Sequence, residues 1–384
     1  MQKYTKKDLK AFQAESLNEK FQRSFAQVSA WYTYWKNEVY VSLSGGKDST
    51  VLADICARWC KLVGKTLYLV FANTGLEYPE IQRHVKVFAQ WLRDKYGIEV
   101  VLEILRPEMR FDDVVREYGY PIIGKSVADM VDLGRKNLEE GKYSLRLRNL
   151  GVMADEAESA GLEMPPPEIL ERYEKAADGS KFERAKYKDL LYVDFRVSAH
   201  CCDVMKKKPL HEYSERTGRK PIIATMAVES MLREKDWLKS GCNAFDSKYP
   251  SSRPMSFWTE QDVLQYIKQE QIPIASVYGD IIYELEPDQM RIEDLGIEVV
   301  GTEKLTTTGC DRTGCIFCGF GCHLEKGPSR FERLKETHPR QYKYCIEGGE
   351  YDGNGVWKPS KEGLGMGHVF DELNKIYGDN FIKY

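Results

Sequence analysis

The hydrophobic and polar positions in the first third of the chain follow first a helical and then a strand–helix pattern. From Thr5 to about Lys36, apolar residues recur at helical spacing, which predicts an amphipathic packing helix. Short β-branched runs predict three buried strands: Val39–Leu43, Thr66–Phe71 and Glu99–Leu105. The segments between the strands predict two helices, Ser49–Leu62 and Ile81–Tyr96. This alternation predicts an α/β fold with a parallel sheet and right-handed crossovers.

The pattern changes from about residue 125 to about residue 190. This stretch is charged and helix-prone, and three consecutive prolines interrupt it, so we interpret it as a helical insertion with a solvated face. A strand followed by a helix is predicted again over Lys220–Ser230. Trp258–Ile274 predicts a further helix, with Thr259 as its N-cap and Asp262 as the acidic partner of a capping box.

Composition limits the classes of protein to consider. With 384 residues, 42% hydrophobic and 30% charged, the chain is typical of globular proteins. A net charge of -3 provides no overall attraction to nucleic acid. The absence of a long apolar run and of an amino-terminal signal core leads us to expect a cytoplasmic protein without a membrane partner. Ten cysteines are then expected to be reduced thiols, which bind metal or act in catalysis where they cluster.

The sequence VYVSLSGGKDST joins the first strand to the following helix through a glycine loop. It lacks the spacing of a Walker A loop. Consecutive glycine amides and a helix N-terminus favour bound phosphate, and a lysine neutralises its charge. Asp48 would repel a bare phosphate, so we expect it to orient the loop or to help bind Mg²⁺. The expected phosphate-binding residues are Ser44, Gly45, Gly46, Lys47, Asp48 and Ser49.

This loop resembles the PP-loop of the adenine nucleotide α-hydrolase-like superfamily. Three further segments are similar to the phosphoadenylyl-sulfate (PAPS) and adenylyl-sulfate (APS) reductase family within it: NTGLEYPE, HCCDVMKKKPL and ATMAVESMLREKDW. The resemblance implies a bound adenine nucleotide, either ATP or a sulfonucleotide, with chemistry near the α-phosphate. It also implies that Asn73, Thr74 and Gly75 lie near the adenosine, and that Arg233 faces phosphate or sulfate. The catalytic residues expected from it are Lys47, Asp48 and Arg233.

The resemblance also suggests a division of the chain into domains. We expect an N-terminal helical segment over residues 1–36 and a PP-loop domain over residues 37–300, with the helical insertion at about 125–190. Residues 301–384 are expected to form a Cys-rich iron–sulfur and helical region.

Cysteines near residue 315 are spaced as metal ligands. On residue types alone, the local quartet suits either Zn²⁺ or an iron–sulfur cluster: Cys310, Cys315, Cys318 and Cys322. The resemblance to the APS reductase branch implies a different quartet for a [4Fe-4S] cluster: Cys201, Cys202, Cys315 and Cys318. We favour the second quartet, in which Lys206 takes the position of a family lysine near the cluster.

Two departures from the reductase pattern bear on the reaction. The nucleophilic cysteine of a C-terminal Cys-Gly-Leu-His segment is missing, and Cys345 is the last cysteine of the chain. Met226 stands where those reductases often have an arginine. Loss of the nucleophile removes the thiolate attack on sulfur. These departures favour ATP pyrophosphatase or sulfurtransferase chemistry over sulfite production from PAPS or APS.

A third hypothesis is a non-catalytic subunit that binds a nucleotide and a cluster. For the favoured chemistry, the expected partners are a nucleic-acid or small-molecule sulfur acceptor and a sulfur-donor protein. A homo-oligomer is also compatible with the sequence.

Overall fold

A computed structural model describes residues 2–177, 184–284 and 304–384. The chain forms two compact units built from interleaved segments. The first unit contains Met1–Asn73, Glu77–Arg106 and Lys208–Gly314, and the second contains Thr74–Leu76, Pro107–Lys207 and Cys315–Tyr384. The expected boundary between residues 300 and 301 lies outside the described residues, so the division into consecutive domains stays a prediction.

Helices account for most of the regular structure in the described residues. The α-helices are α1 (Lys6–Gln13), α2 (Leu17–Tyr34), α3 (Lys47–Val63), α4 (Pro79–Tyr96), α5 (Phe111–Tyr118), α6 (Lys125–Glu139), α7 (Leu145–Asn149), α8 (Ala154–Ser159), α9 (Pro167–Ala177), α10 (Lys208–Thr217), α11 (Met231–Ser240), α12 (Glu260–Glu270), α13 (Arg330–Thr337), α14 (Pro339–Ile346) and α15 (Met366–Tyr377). None of these helices combines the length and the apolar character that crossing a membrane requires.

Strands are short apart from those at the centre of the first unit. The described strands are β1 (Val39–Ser42), β2 (Leu67–Ala72), β3 (Val100–Leu105), β4 (Ile122–Ile123), β5 (Lys220–Ile222), β6 (Asn243–Ala244), β7 (Ser251–Ser252), β8 (Ile281–Tyr283), β9 (Leu305–Thr307), β10 (Gly319–Phe320), β11 (Glu350–Tyr351) and β12 (Trp357–Lys358).

The central sheet of the first unit has the order β3-β2-β1-β5-β7-β6 in the described residues. All neighbouring pairs are parallel except β6 with β7. Val41 of β1 aligns with Leu69 on one side and with Ile222 on the other. The chain therefore leaves β1 in one direction and returns on its other side, which makes a topological switch point between β1 and β5. The predicted α/β fold with a mainly parallel sheet is confirmed.

Helix α3 is the buried helix that follows the glycine loop. Its core side includes Leu52 and Ile55, and it ends at Gly64, which adopts the left-handed conformation of a helix C-cap. Cys56 and Cys60 are also fully buried within it, consistent with a packing role.

The single helix predicted for the first 36 residues is wrong in one respect, because two helices are present. Helix α1 ends at Gln13, and Ser16 caps α2: its Oγ accepts a hydrogen bond from the Glu19 amide, and the Glu19 carboxylate accepts one from the Ser16 amide at 2.8 Å. A capping box of this kind starts a new helix even where the apolar spacing continues. The N-cap predicted at Thr259 is confirmed, with Asp262 as its partner.

The second unit is mainly helical in its described residues. The predicted insertion contains α6 to α9 and a 3₁₀-helix at Ala185–Leu191. A parallel pairing of β4 with β10 aligns Ile122 with Gly319, and thus joins the middle of the chain to the segment that carries the late cysteines. Helices α13 to α15 bury an apolar core that includes Phe331 and Phe370.

Candidate functional site

A cavity of about 450 Å³ opens in the first unit, at the switch point between β1 and β5. The residue that ends β1 and the glycine loop line one part of it. Residues 223–226, 228 and 229, which follow β5, line another. Residues 311–313 and side chains from three helical segments complete the lining. Ligands of open α/β sheets bind at this position, beyond the carboxyl ends of the strands. The loop residues that line the cavity are Ser44, Gly46, Lys47, Asp48 and Ser49.

The backbone at Gly45 requires glycine. Its φ is +75°, in the left-handed region, and a Cβ there would lie 2.7 Å from Ile81 Cγ2 and 2.9 Å from Val85 Cγ2. Helix α4 is therefore packed directly against the turn. The sequence SGGKDS folds as a tight turn into α3 because this position has no side chain.

The Ser49 hydroxyl stabilises the turn from within. Ser49 Oγ accepts a hydrogen bond from the Ser44 amide at 3.1 Å and donates one to the Gly46 carbonyl at 2.9 Å. Gly46 is the N-cap of α3 and contributes no capping side chain. The first turn of α3 therefore brings its amides and its positive dipole end to the lining of the cavity, an arrangement that favours anions.

Lys47 and Asp48 supply opposite charges beside the loop. The Lys47 side chain is buried, and its Nζ lies 3.1 Å from Glu260 Oε1. The Lys47 amide donates to Tyr278 Oη at 3.3 Å, and burial raises the pKa of Tyr278 to about 12. Burial also raises the pKa of Asp48, although the positive charges of Lys47 and Arg312 oppose this shift.

A second pair of cations lies on the other stretches that line the cavity. Arg233 is in the first turn of α11, and Arg312 is in the loop that leads to the late cysteines. Both guanidinium groups contact the carboxylate of Glu229, with 2.5 Å between Arg312 Nη2 and Glu229 Oε1. Burial and the positive charge of Arg312 lower the pKa of Arg233.

Three residues expected near the adenosine are not among those that line this cavity. The Asn73 amide donates to the Leu105 carbonyl at 2.8 Å, and Thr74 Oγ1 accepts from the Leu76 amide at 3.2 Å. Gly75 adopts a φ of +77°. Their contact with an adenosine stays a prediction.

Sequence reasoning missed several residues of the site. Residues 223–225 could have been found, since they follow a predicted strand and parallel neighbours end at one edge of a sheet. Tyr278, Glu260 and Arg312 carried no local signal, because only the tertiary fold brings them to the glycine loop.

One part of the chain is similar to a known domain family. Residues 168–319 match the model of the phosphoadenosine phosphosulfate reductase domain, which belongs to the PP-loop adenine nucleotide α-hydrolase-like superfamily. Residues 168–319 are therefore similar to the phosphoadenosine phosphosulfate reductase domain. This confirms the family recognised from the motifs. Members of the family are generally enzymes that act on sulfonucleotides. A search of curated proteins found no match to the chain.

The matched segment includes both cavity arginines and begins after the glycine loop. The assignment of the loop as a nucleotide site therefore depends on its own geometry: the turn at Gly45, the start of α3 and the buried Lys47.

The matched segment also contains the cysteine pair, which lies in the second unit next to the π-helical turn Asp203–Lys207. The Cys201 thiol donates to the Cys202 sulfur, and this hydrogen bond lowers the pKa of Cys202 and raises that of Cys201. Lys125 also hydrogen-bonds to Cys202, and Lys206 adds positive charge nearby.

Cys315 and Cys318 lie close enough to Cys201 to raise the pKa of its thiol. Burial raises the pKa of Cys318, and Arg330 lies nearby, donating to the Cys318 carbonyl at 2.9 Å. In the described ranges, no three Cys, His, Asp or Glu side chains are arranged to hold a single metal ion. The four thiols of a cubane cluster bind different irons, so this donor set fits a cluster by its chemistry: four neighbouring thiols and adjacent cations.

The remaining cysteines of the alternative quartet have other surroundings. The Cys322 thiol donates to the Gly319 carbonyl at 2.9 Å, and the Cys310 amide donates to the Val277 carbonyl within the first unit. Which quartet binds a metal stays a prediction.

Cys345 lies on α14 and is completely buried against the start of α15. Its sulfur lies 3.5 Å from Met366 Sδ, and burial raises the pKa of its thiol. A thiol of this kind is a poor nucleophile because its thiolate is disfavoured.

Proposed function

We propose that the cavity binds an adenine nucleotide through the glycine loop and that the protein cleaves it next to the α-phosphate. The observation that supports this proposal is the position of the glycine turn: it precedes a buried helix and lines a cavity at the switch point of a parallel sheet. A cavity of about 450 Å³ falls in the range of small-molecule sites.

Each residue of the loop has a proposed role. The amides of Gly45 and Gly46 and the hydroxyls of Ser44 and Ser49 bind phosphate oxygens, and Lys47 neutralises their charge. Asp48 supplies a carboxylate for Mg²⁺, which offsets charge on the pyrophosphate leaving group. Arg233 binds a further phosphate or sulfate group, as its place in the cavity lining suggests.

The reaction class that we favour is that of an ATP pyrophosphatase or sulfurtransferase. An oxygen of the acceptor attacks the α-phosphorus of ATP, and pyrophosphate leaves. A sulfur nucleophile from a donor protein then attacks the adenylated carbon, and AMP leaves with the oxygen. The acceptor is a nucleic acid or a small molecule.

The state of Cys345 is the reason for preferring this class to sulfite production. In a reductase, an exposed thiolate must attack the sulfur of PAPS or APS, and Cys345 is fully buried. The alternatives are a sulfonucleotide reductase that uses another thiol, or a non-catalytic subunit.

We further propose that Cys201, Cys202, Cys315 and Cys318 bind a [4Fe-4S] cluster. The support is the proximity of the four thiols and the cations Lys125 and Lys206 beside Cys202, which favour thiolates. When bound, the cluster would bind or relay sulfur. Anaerobic purification followed by iron and zinc analysis tests this proposal, and a colourless protein with stoichiometric zinc would reject it.

Nucleotide binding is tested with ATP and PAPS by calorimetry. We expect the wild-type protein to bind one of them, and Lys47→Met to weaken that binding at least about tenfold, because a buried phosphate–lysine contact is lost. Lys65→Met, at an exposed lysine beyond α3, serves as the matched control.

Turnover distinguishes the three alternatives. Pyrophosphate release from ATP with acceptor candidates supports the favoured class, and sulfite release from PAPS or APS with a thiol reductant supports the reductase. Nucleotide binding without either product supports the non-catalytic role. Equal affinities of Lys47→Met and the wild type would contradict the proposed site.

A further inference from the structure

Glu229 occupies an unusual position for an acidic residue in an anion-binding cavity. Its two carboxylate oxygens contact the cavity cations: Oε2 contacts Arg233, and Oε1 contacts Arg312. The Glu229 side chain is only 10% exposed, whereas those of the arginines are 40% and 70% exposed. The carboxylate is therefore fixed within the cavity while the arginines reach towards solvent.

The carboxylate bridges two guanidinium groups as a phosphate or sulfate would. Arginine pairs with carboxylate and phosphate through the same planar donor geometry, so these anions compete for one arginine pair. Glu229, Arg233 and Arg312 all line the cavity that holds the glycine loop.

The loop that carries Arg312 is attached to the glycine loop through Tyr278. Thr313 Oγ1 lies 2.5 Å from Tyr278 Oη. Tyr278 Oη also accepts a hydrogen bond from the Lys47 amide. The position of Arg312 beside the phosphate loop therefore depends on a chain of hydrogen bonds.

We propose that Glu229 is an internal competitor for the anionic tail of the ligand. Its carboxylate holds Arg233 and Arg312 in the absence of ligand, and a phosphate or sulfate group displaces it and binds both arginines. This inference rests on the proposed function and extends it, because it assigns Arg312 to the binding site and requires a ligand with an anionic group beyond the one bound by the glycine loop. A ligand with a single phosphate does not engage the pair.

The test uses Glu229→Gln, which removes the charge and keeps the fold of the turn. The Glu229 carboxylate accepts a hydrogen bond from the Met226 amide at 2.9 Å, and the amide oxygen of glutamine can replace that acceptor. Glu234→Gln is the matched control: it lies on α11 and pairs with Lys6 at 2.7 Å, and it does not line the cavity. Thermal unfolding by circular dichroism checks that each variant is folded.

Calorimetry with inorganic pyrophosphate, ATP, PAPS and AMP gives the result. We expect Glu229→Gln to bind pyrophosphate about tenfold more tightly than the wild type, and Arg312→Gln about tenfold more weakly. In Glu229→Gln/Arg312→Gln, we expect the gain from the first change to fall below about threefold, because the two residues act on one group. AMP affinity and the Glu234→Gln variant should stay within about twofold of the wild type.

The anionic group is identified by comparing ATP with PAPS: the nucleotide whose binding Glu229→Gln strengthens carries the group that reaches the arginines. Unchanged or weaker pyrophosphate binding by a folded Glu229→Gln variant overturns the inference, since Glu229 would then only position the arginines. Failure of the wild type to bind any nucleotide rejects the proposed function instead, and the pyrophosphate measurements still decide the role of Glu229.

Discussion

Single residues shape the cavity through two different physical effects. Gly45 acts through the backbone: only a residue without a side chain permits the turn against Ile81 and Val85. Glu229 acts through charge, because it neutralises two arginines that would otherwise repel each other. In the proposed site, the first effect favours a bound phosphate and the second opposes it.

His84 on α4 is a buried histidine whose pKa makes the stability of the protein depend on pH. Its ring is buried and lies 5.4 Å from the ring of Phe88, its Nε2 has no partner among the described residues, and burial lowers its pKa to about 4. In the unfolded chain, the His84 imidazole takes up a proton near pH 6.5, whereas in the folded protein it stays neutral down to about pH 4. The contribution of neutral His84 to the free energy of unfolding is therefore complete above pH 6.5 and is lost as the pH falls towards 4.

Urea unfolding of His84→Phe at several pH values measures this contribution. We expect the free energy of unfolding of the wild type to fall by roughly 3 kcal/mol relative to the variant between pH 7 and pH 4. His211→Phe replaces an exposed imidazole in the same way and serves as the control. Parallel pH profiles of the wild type and His84→Phe would contradict the assignment.

Arg312 and Lys47 show how far the sequence predicts the site. Lys47 was predicted because its neighbours in the chain, glycines before it and a helix after it, already specify a phosphate loop. Arg312 follows Lys47 by more than two hundred residues, and tertiary contacts such as that of Thr313 with Tyr278 bring it to the loop. No local pattern encodes a contact of this kind.

Helices contribute to the site through their first turns. Lys47 is the first residue of α3, Arg233 is the third residue of α11, and Glu260 is the first residue of α12, and all three line the cavity. Helix N-termini carry partial positive charge, which stabilises both a bound anion and the carboxylate of Glu260. Such an arrangement follows from strand order, because these helices start at the carboxyl edge of the sheet.

Local sequence patterns predicted that a helix or strand is present better than they predicted where it begins and ends. The capping box at Thr259 was found because its two partners are three residues apart, whereas the one at Ser16 was overlooked within a continuous apolar stripe. The pairing of β1 with β5 joins residues far apart in the chain, so the sequence predicted a parallel sheet without its order.

A buried ion pair joins α2 to α12. Lys20 Nζ lies 2.8 and 2.7 Å from the two carboxylate oxygens of Asp262, and both side chains are buried. We expect Lys20→Met to lower the free energy of unfolding by about 3–5 kcal/mol, because it leaves a buried carboxylate without its cation. Urea denaturation followed by circular dichroism measures the loss.

The double variant Lys20→Met/Asp262→Asn separates charge from packing. Asparagine retains an acceptor for the Thr259 amide, so the cap of α12 persists while the unpaired charge is removed. We expect the double variant to regain at least about half of the lost stability. If it is as unstable as Lys20→Met, then packing of the lysine side chain, rather than its charge, stabilises the helix pair.

At the scale of the whole molecule, the two units differ in which parts of the sequence form them. Residues 1–314 contain every segment of the first unit, including all residues that line the cavity. The second unit needs the last 70 residues: Tyr120 donates to the Leu364 carbonyl at 2.8 Å, and the rings of Phe111 and Phe317 lie 6.3 Å apart.

A chain that ends at Gly314 should therefore lose one unit and keep the other. Hydrogen exchange is expected to show protected amides in β1, β2 and β3, and loss of protection in α5 and β4, whose partner β10 is removed. Pyrophosphate affinity should stay within about threefold of that of the full chain, since both arginines and the glycine loop remain. Loss of protection throughout β1 to β3 would instead mean that the first unit depends on the second for its stability, and the anion site could then not be assigned to the first unit alone.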